Sequence, residues 1–126
     1  MKKILLILVS VFILTSCQSH DFNFKGDSEN WYAEVLTQKN GDRQEQSFKI
    51  KYEGKNLEKV KNKDITFSFQ SDNGLQGQIT QKLSESGTLE SNSPSSCSGC
   101  NFLNKESEIV FTIEWNGEKE EFILKN

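Results

Sequence analysis

The sequence has very little histidine, proline and cysteine. Its 126 residues include one His, one Pro and three Cys. The single histidine, His20, leaves no histidine-based nucleophile pair and no closed metal site built on imidazoles. Glycine-rich phosphate loops and metal-ligand clusters of recognisable spacing are missing as well. We therefore expect no catalytic residues, no metal ligands and no cofactor, and we expect that the protein is not an enzyme.

Long apolar runs are confined to the beginning of the chain. Residues 4–14 are apolar except for Ser10, and they follow Lys2 and Lys3. A membrane-spanning helix needs about 20 apolar residues, so this run is too short to cross a bilayer. Positive charge, a short apolar run and then small residues are typical of a secretory signal. We predict that residues 1–16 are a signal peptide that takes no part in the fold.

The predicted signal ends in Leu14, Thr15, Ser16 and Cys17. This quartet resembles the lipobox of bacterial lipoproteins, in which the cysteine is acylated and becomes the new N-terminus. The resemblance implies that diacylglyceryl and acyl groups on Cys17, palmitate among them, anchor the protein to the extracytoplasmic face of the cell membrane. At least two chains are expected, because a single chain binds a bilayer only marginally. The alternative is an ordinary cleaved signal that leaves Cys17 free.

Residues 26–31 carry a second, shorter resemblance. Their sequence, Gly-Asp-Ser-Glu-Asn-Trp, resembles segments that follow the tether in small uncharacterised lipoproteins of Gram-positive bacteria. This resemblance again implies lipid anchoring outside the cell, and it implies no particular activity.

The mature protein lacks any excess of positive charge. Loss of Lys2 and Lys3 with the signal lowers the 15 basic residues to 13, against 18 acidic residues, for a net charge of −5. An acidic domain has no basic footprint for nucleic acid and is mildly repelled by anionic lipid headgroups. We therefore expect no nucleic-acid partner. The expected partners are the membrane, through the lipid on Cys17, and an envelope protein or small ligand.

From residue 30 onward apolar and polar residues alternate, as they do in half-buried strands. Five strong stretches are residues 31–35, 47–53, 65–70, 108–115 and 121–125, and two weaker ones are 76–82 and 88–89. Asn-Gly pairs at 40–41, 73–74 and 116–117 suit two-residue hairpin turns, and the last pair predicts a C-terminal hairpin. Residues 56–63 offer one helical turn at most. The pattern predicts an all-β, antiparallel fold, either an immunoglobulin-like β-sandwich or a partly open barrel.

The predicted organisation has three parts: the signal (1–16), the lipidated cysteine with a flexible tether (17–28), and the β domain (29–126). The tether is short and polar and contains Gly26. Its Phe22 and Phe24 alternate with polar residues, so a short edge strand is the alternative.

Near the other end of the chain, we interpret Glu118, Glu120 and Glu121 as a charged hairpin edge that discourages strand addition.

Residues 91–101 interrupt the strand pattern with a serine-rich loop that contains Cys97 and Cys100. In an exported protein whose third cysteine is lipidated, a local disulfide between these two is expected. A thiol-redox pair is one alternative, although no helix is predicted to lower the pKa of the first thiol. Half of a metal site is another alternative, and it would need further ligands from a partner.

Aromatic residues fall mainly on the inward side of the predicted strands. The predicted core comprises Trp31, Phe48, Phe67, Phe69, Phe111 and Trp115. Tyr32, on the outward side of its strand, and Phe102, after the cysteine loop, are candidates for a partner-facing patch.

The sequence-based hypothesis is a membrane-anchored, non-enzymatic binding or interaction module. The alternatives are a thiol-redox or metal-handling protein that uses Cys97 and Cys100, and an inhibitor or immunity lipoprotein. A small β domain by itself does not select among these functions.

Overall fold

Eight strands and one short helix make up the part of the chain that the structure, a computed structural model, describes: residues 21–40, 43–72, 74–95 and 103–126. The elements are β1 (Phe22–Asp27), β2 (Trp31–Asn40), β3 (Arg43–Tyr52), α1 (Leu57–Val60), β4 (Asp64–Ser71), β5 (Gln76–Lys82), β6 (Thr88–Ser95), β7 (Glu108–Trp115) and β8 (Glu118–Lys125). α1 is a single turn, and no helix in these ranges is long and apolar enough to cross a membrane.

The strands form one antiparallel sheet in the order β5-β4-β7-β8-β1-β2-β3-β6. The sheet curls on itself, so that strands near its two edges come into contact. Phe48 of β3 packs against Phe67 and Phe69 of β4, with ring centroids 5.4 and 4.7 Å apart. At the two edges, Gln81 Nε2 of β5 donates a hydrogen bond of 2.9 Å to the backbone carbonyl of Glu90 in β6. The predicted all-β antiparallel fold is confirmed, and its single sheet has the form of a partly open barrel.

The first strand lies in the middle of this sheet. β1 pairs with β2 along all six of its residues and with β8 on its other side. The flexible tether predicted for residues 17–28 therefore does not include residues 22–27, and the alternative of a short strand was the better one. β1 is an interior strand, however, and not an edge strand. Residues 17–20 lie outside the described part of the chain.

Gly26 explains how β1 fits against β8. A Cβ atom at this position would lie 2.5 Å from the backbone carbonyl oxygen of Ile123 and 2.8 Å from the side chain of Leu124. Only glycine allows the two backbones to approach so closely. The residue that suggested flexibility in the sequence thus serves close packing between two strands.

The C-terminal hairpin is confirmed. Asn116 and Gly117 connect β7 to β8 with φ angles of 47° and 78°, and Trp115 pairs with Glu118. Positive φ at both central residues is the geometry of a type I′ turn, which matches the twist of the flanking strands.

β6 extends further than predicted. Residues 91–95, expected to be loop, continue the strand and pair with β3 as far as Ser95 opposite Gln44. The carbonyls of Thr88 and Glu90 accept bonds from Ser84 and Gln81, so this backbone side of β6 faces away from β3. Because backbone groups alternate between the two sides of a strand, the backbone nitrogen of Pro94, which carries no hydrogen, also lies on the side that faces away from β3. Proline is tolerated there because no ladder bond is lost on the free side of an edge strand.

The barrel interior is filled by aromatic and aliphatic side chains. All six predicted core aromatics are buried, at most 6% exposed. Phe67 stacks on Phe111, which in turn contacts Phe122, at 5.5 and 5.6 Å between ring centroids. Towards the other end of the barrel, Trp31 contacts Tyr52 and Trp115 edge-on. This packing leaves the outer surface as the part of the barrel available to a partner.

Candidate functional site

Several predicted site residues lie outside the described part of the chain. These are the lipidation residue Cys17, the pair Cys97 and Cys100, and Phe102. The disulfide between Cys97 and Cys100 and the partner-facing role of Phe102 therefore stay predictions.

Gln44 fixes the point at which the chain re-enters the barrel after the cysteine segment. Its side-chain Nε2 donates to the carbonyl of Leu103 at 3.1 Å, and its Oε1 accepts from the N–H of Leu103 at 2.9 Å. Gln44 is buried, so these two bonds satisfy an amide that would otherwise be costly to bury. The side chain thereby takes the place of a strand neighbour for Leu103.

Tyr32 lies on the outer side of β2, as predicted, but it is half-buried and has a partner on its own sheet. Its hydroxyl donates to Oε2 of Glu34 at 3.2 Å, and Asn23 Nδ2 donates to Oε1 of the same carboxylate at 2.7 Å. Burial, and then the negative charge of Glu34, raise the pKa of Tyr32 above its usual value. Tyr32 thus remains a neutral hydrogen-bond donor at neutral pH.

The outer side of β1, β2, β3 and β6 is charged. In the strand register Lys25 pairs with Glu34, Glu34 with Lys49, and Lys49 with Glu90, so opposite charges alternate across four strands. A shallow depression of about 200 Å³ lies over this row. Opposite charges at paired positions stabilise a sheet modestly, by about 0.2–1 kcal/mol per pair. This half of the surface largely compensates its own charge.

The central part of the outer side of β5, β4 and β7, together with Ile123 of β8, is uncharged. We call this surface the neutral face. Its outward residues are Thr66, Ser68, Gln70, Gln76, Gln78, Thr80, Val110, Thr112 and Ile123. Its borders carry charge, including Glu108, Glu114, Glu121 and Lys125. An uncharged centre inside a charged rim is typical of protein–protein interfaces.

Two exposed hydrophobic side chains lie within the neutral face. Val110 on β7 and Ile123 on β8 are directly paired across the two strands, and they are 38% and 48% exposed. They are the only large hydrophobic residues with exposed side chains in the described ranges. The alternation along β7 predicts that Val110 faces outward. Its position beside Ile123, however, can be known only from the pairing register of β7 and β8.

A depression of about 500 Å³ extends over the neutral face beside this apolar pair. Its walls are mainly uncharged and include Ser68, Gln70, Gln78, Thr112 and Val110, with the carboxylate of Glu121 at one side. Amide and hydroxyl side chains both donate and accept hydrogen bonds, so the depression suits a partner that offers either kind of group.

The first 18 residues match the family model for the prokaryotic membrane lipoprotein lipid attachment site. The chain is a bacterial lipoprotein precursor. The match includes the predicted quartet that ends in Cys17, and it makes the lipoprotein a lipid-anchored, membrane-associated protein. No curated protein and no solved structure matches the chain.

Within the described ranges of the lipoprotein, the structure brings together no group of three or more His, Cys, Asp or Glu residues that could hold a metal ion. One carboxylate does have a specific environment. Glu120 lies on the inward register of β8, and its Oε1 accepts from the hydroxyl of Ser28 and from the N–H of Asn30 at 3.0 Å. Its Oε2 accepts from Asn30 Nδ2 at 2.6 Å.

Glu120 therefore stabilises the β1–β2 turn of the lipoprotein. The interpretation of Glu118, Glu120 and Glu121 as a charged hairpin edge is wrong, because β8 lies between β7 and β1. Burial by itself raises the pKa of Glu120, but the hydrogen bonds from Ser28 and Asn30 outweigh it and lower the pKa. The sequence pattern gave no signal for this contact, since its partners are 90 and 92 residues away.

We expect Glu120→Gln to lower the free energy of unfolding of the lipoprotein by about 1–2 kcal/mol at neutral pH. Hydrogen bonds to charged groups contribute about 1.5–3 kcal/mol, and partial exposure reduces this figure. Because the folded pKa is lowered, the contribution is complete above the unfolded pKa and is lost as the pH falls through the folded pKa. The unfolding free energies of the two proteins should thus converge as the pH falls below the folded pKa of Glu120.

Glu121→Gln is the matched control, because Glu121 is the next residue of β8 and its side chain is exposed on the outer side of the strand. We expect it to change the unfolding free energy by less than about 0.5 kcal/mol. Equal losses for the two variants, or a loss for Glu120→Gln that persists at low pH, would contradict the assigned role of the Glu120 carboxylate.

Proposed function

We propose that this lipoprotein is a non-enzymatic interaction module on the extracytoplasmic side of the membrane, and that its neutral face docks on an envelope protein. The observation that carries the proposal is the neutral face itself. It presents nine adjacent uncharged outward residues, with an exposed apolar pair, in a chain of which 26% is charged.

The two halves of the barrel surface differ in the desolvation free energy that docking of a partner would cost. Covering the charged half would remove water from Lys25, Glu34, Lys49 and Glu90, and desolvating charges is expensive unless the partner compensates each of them. Covering the neutral face removes water from hydroxyl and amide groups, which a partner can satisfy with ordinary hydrogen bonds. Burial of Val110 and Ile123 adds a favourable hydrophobic contribution. The neutral face is therefore the better docking surface.

The filled interior of the barrel supports an interaction on the surface. Aromatic rings from β3, β4, β7 and β8 contact one another across the middle of the barrel. A ligand carrier of similar size needs an interior space that side chains leave open. A rigid, packed barrel instead offers a preorganised outer surface, which lowers the entropic cost of binding.

A photo-crosslinking residue at Ile123, introduced into the full-length lipoprotein in cells, tests the proposal. We expect a discrete crosslinked protein from Ile123. Adding Val110→Lys should reduce that product at least about tenfold, because it places a charge at the centre of the interface. Val110 is exposed, so this substitution should leave the unfolding transition almost unchanged.

The same crosslinker at Lys49, an exposed position on the charged half, is the matched control. We expect no discrete product from Lys49. Equal products from both positions, or an Ile123 product that is unaffected by Val110→Lys, would contradict docking on the neutral face.

A further inference from the structure

The distance between the lipid and the barrel is limited by the chain itself. The lipid attachment site ends at Cys17, and β1 begins at Phe22. Consecutive residues advance at most about 3.3–3.6 Å, so Phe22 lies within about 18 Å of Cys17 whatever path the intervening residues take. We infer that one end of the barrel, the end at which β1 begins, faces the bilayer surface. This inference rests on lipid attachment and not on the proposed docking of the neutral face.

The antiparallel order assigns every connection to one of the two ends. The proximal end contains the start of β1, the ends of β2, β4 and β6, and the starts of β3, β5 and β7. The distal end contains the β1–β2 turn, the segment 53–63 with α1, the β5–β6 turn at 83–87 and the β7–β8 turn. The β5 strand runs between a proximal connection and a distal turn.

The tether cannot easily become longer by releasing β1. This strand has neighbours on both sides, with Phe24 fully buried in the core and Phe22 partly buried against it. Its second residue is also held at the proximal end, where the N–H of Asn23 donates to the side chain of Asn126 at 3.2 Å. Peeling β1 away would expose Phe24 and break the sheet in its middle, so the length limit applies to the folded protein.

The size of the barrel disfavours the inverted orientation. Phe22 pairs with Thr37, six residues from the distal start of β2 at Trp31, a span of about 20 Å at about 3.4 Å per residue, or about 16 Å along the barrel axis after strand tilt. If the distal end faced the lipid, the start of β1 would stand at least about 16 Å above the surface, and the distal turns would add to this height. The tether would then have to be almost fully extended, which costs conformational entropy that the proximal orientation does not.

The sides of the barrel offer little that would hold it flat on a bilayer. The charged half has alternating signs, and the neutral face exposes only Val110 and Ile123 as large hydrophobic residues. The net charge of the mature protein also opposes adsorption to anionic lipid. No patch on the described part of the barrel surface favours contact with the membrane, so contact depends on the tether at the proximal end. The neutral face then runs along the side of the barrel, where a neighbour in the same membrane can reach it.

Fluorescence quenching by spin-labelled lipid headgroups tests this orientation. A fluorescent non-natural residue replaces either Asp72 or Glu85 in the full-length lipoprotein, reconstituted in vesicles. Both positions are exposed turn residues, one before and one after β5, so they form a matched pair at opposite ends of one strand. We expect quenching at position 72 to be at least about twice that at position 85, since the strand separates them by about 20 Å.

A second variant carries 20 Gly/Ser residues between Ser19 and His20. Such a linker has a root-mean-square span of about 25 Å, which is enough for the barrel to tumble. The difference between positions 72 and 85 should then largely disappear. Equal quenching with the native tether, or stronger quenching at position 85, would overturn the proposed orientation. A difference that survives the long linker would overturn the tether as its cause and would indicate adsorption of the barrel surface.

Discussion

Deleting residues 122–126 is expected to abolish cooperative unfolding of the lipoprotein. These residues include the second half of β8, which pairs with β7 on one side and β1 on the other. The deletion also removes Phe122 and Leu124 from the core. Large-to-small substitutions of such buried residues cost about 2–5 kcal/mol each, and small domains have only about 5–15 kcal/mol in total. Circular dichroism during denaturant titration should show a gradual change without a transition.

The control for this deletion keeps the strand and changes only its outer side. Glu121→Ala combined with Lys125→Ala alters two exposed residues of β8. We expect the double variant to retain a single unfolding transition within about 1 kcal/mol of the parent protein. An undiminished transition for the deletion variant would show that β8 does not hold β7 and β1 together.

Local patterns were sufficient to predict most strands of this fold. Alternation placed Phe67 and Phe111 inward on β4 and β7, and both are fully buried. Asn116 and Gly117 predicted the hairpin turn because few other residue pairs adopt two successive positive φ angles. Both predictions depend only on neighbours in sequence, which is why one chain was enough to make them.

The order of the strands could not be predicted in the same way. β1 pairs with β8 through Lys25 and Lys125, which are separated by most of the chain. No turn or alternation specifies a pairing over that distance. The segment of β1 also looked like a tether because only Phe22 and Phe24 break its polar character. Its neighbours on both sides, and not its own sequence, make it an interior strand.

The neutral face and the Glu120 contact were missed for the same reason. Val110 and Ile123 became one patch only when the register of β7 and β8 was known. Glu120 was interpreted as part of a charged hairpin edge, but the β1–β2 turn supplies donors to its carboxylate from Ser28 and Asn30. Contacts between elements distant in sequence decide both features, and alternation along a single strand contains no information about them.

Replacing Cys17 with Ala is expected to abolish both lipidation and retention of the protein on the membrane. Membrane association is expected to depend on the acyl groups, since each buried methylene contributes about 0.8 kcal/mol to binding. The described part of the barrel surface has no basic patch and no broad apolar patch, and the mature protein is acidic. Membrane fractionation and mass spectrometry of the N-terminal peptide measure the two effects. Cys97→Ala is the matched control, since it removes a cysteine outside the attachment site and should leave the protein membrane-bound.

The same experiment separates two ways of holding the barrel near the bilayer. If the Cys17→Ala protein is released, the lipid and its short tether are the main attachment, and the proximal end faces the membrane by covalent geometry. If it is retained without lipid, some surface of the barrel must bind headgroups directly, and the end-on orientation loses its basis. Retention that disappears at high salt would assign that binding to charged residues, since screening weakens exposed electrostatic contacts but leaves apolar ones intact. Retention that persists at high salt would instead point to Val110 and Ile123, the exposed apolar pair of the neutral face.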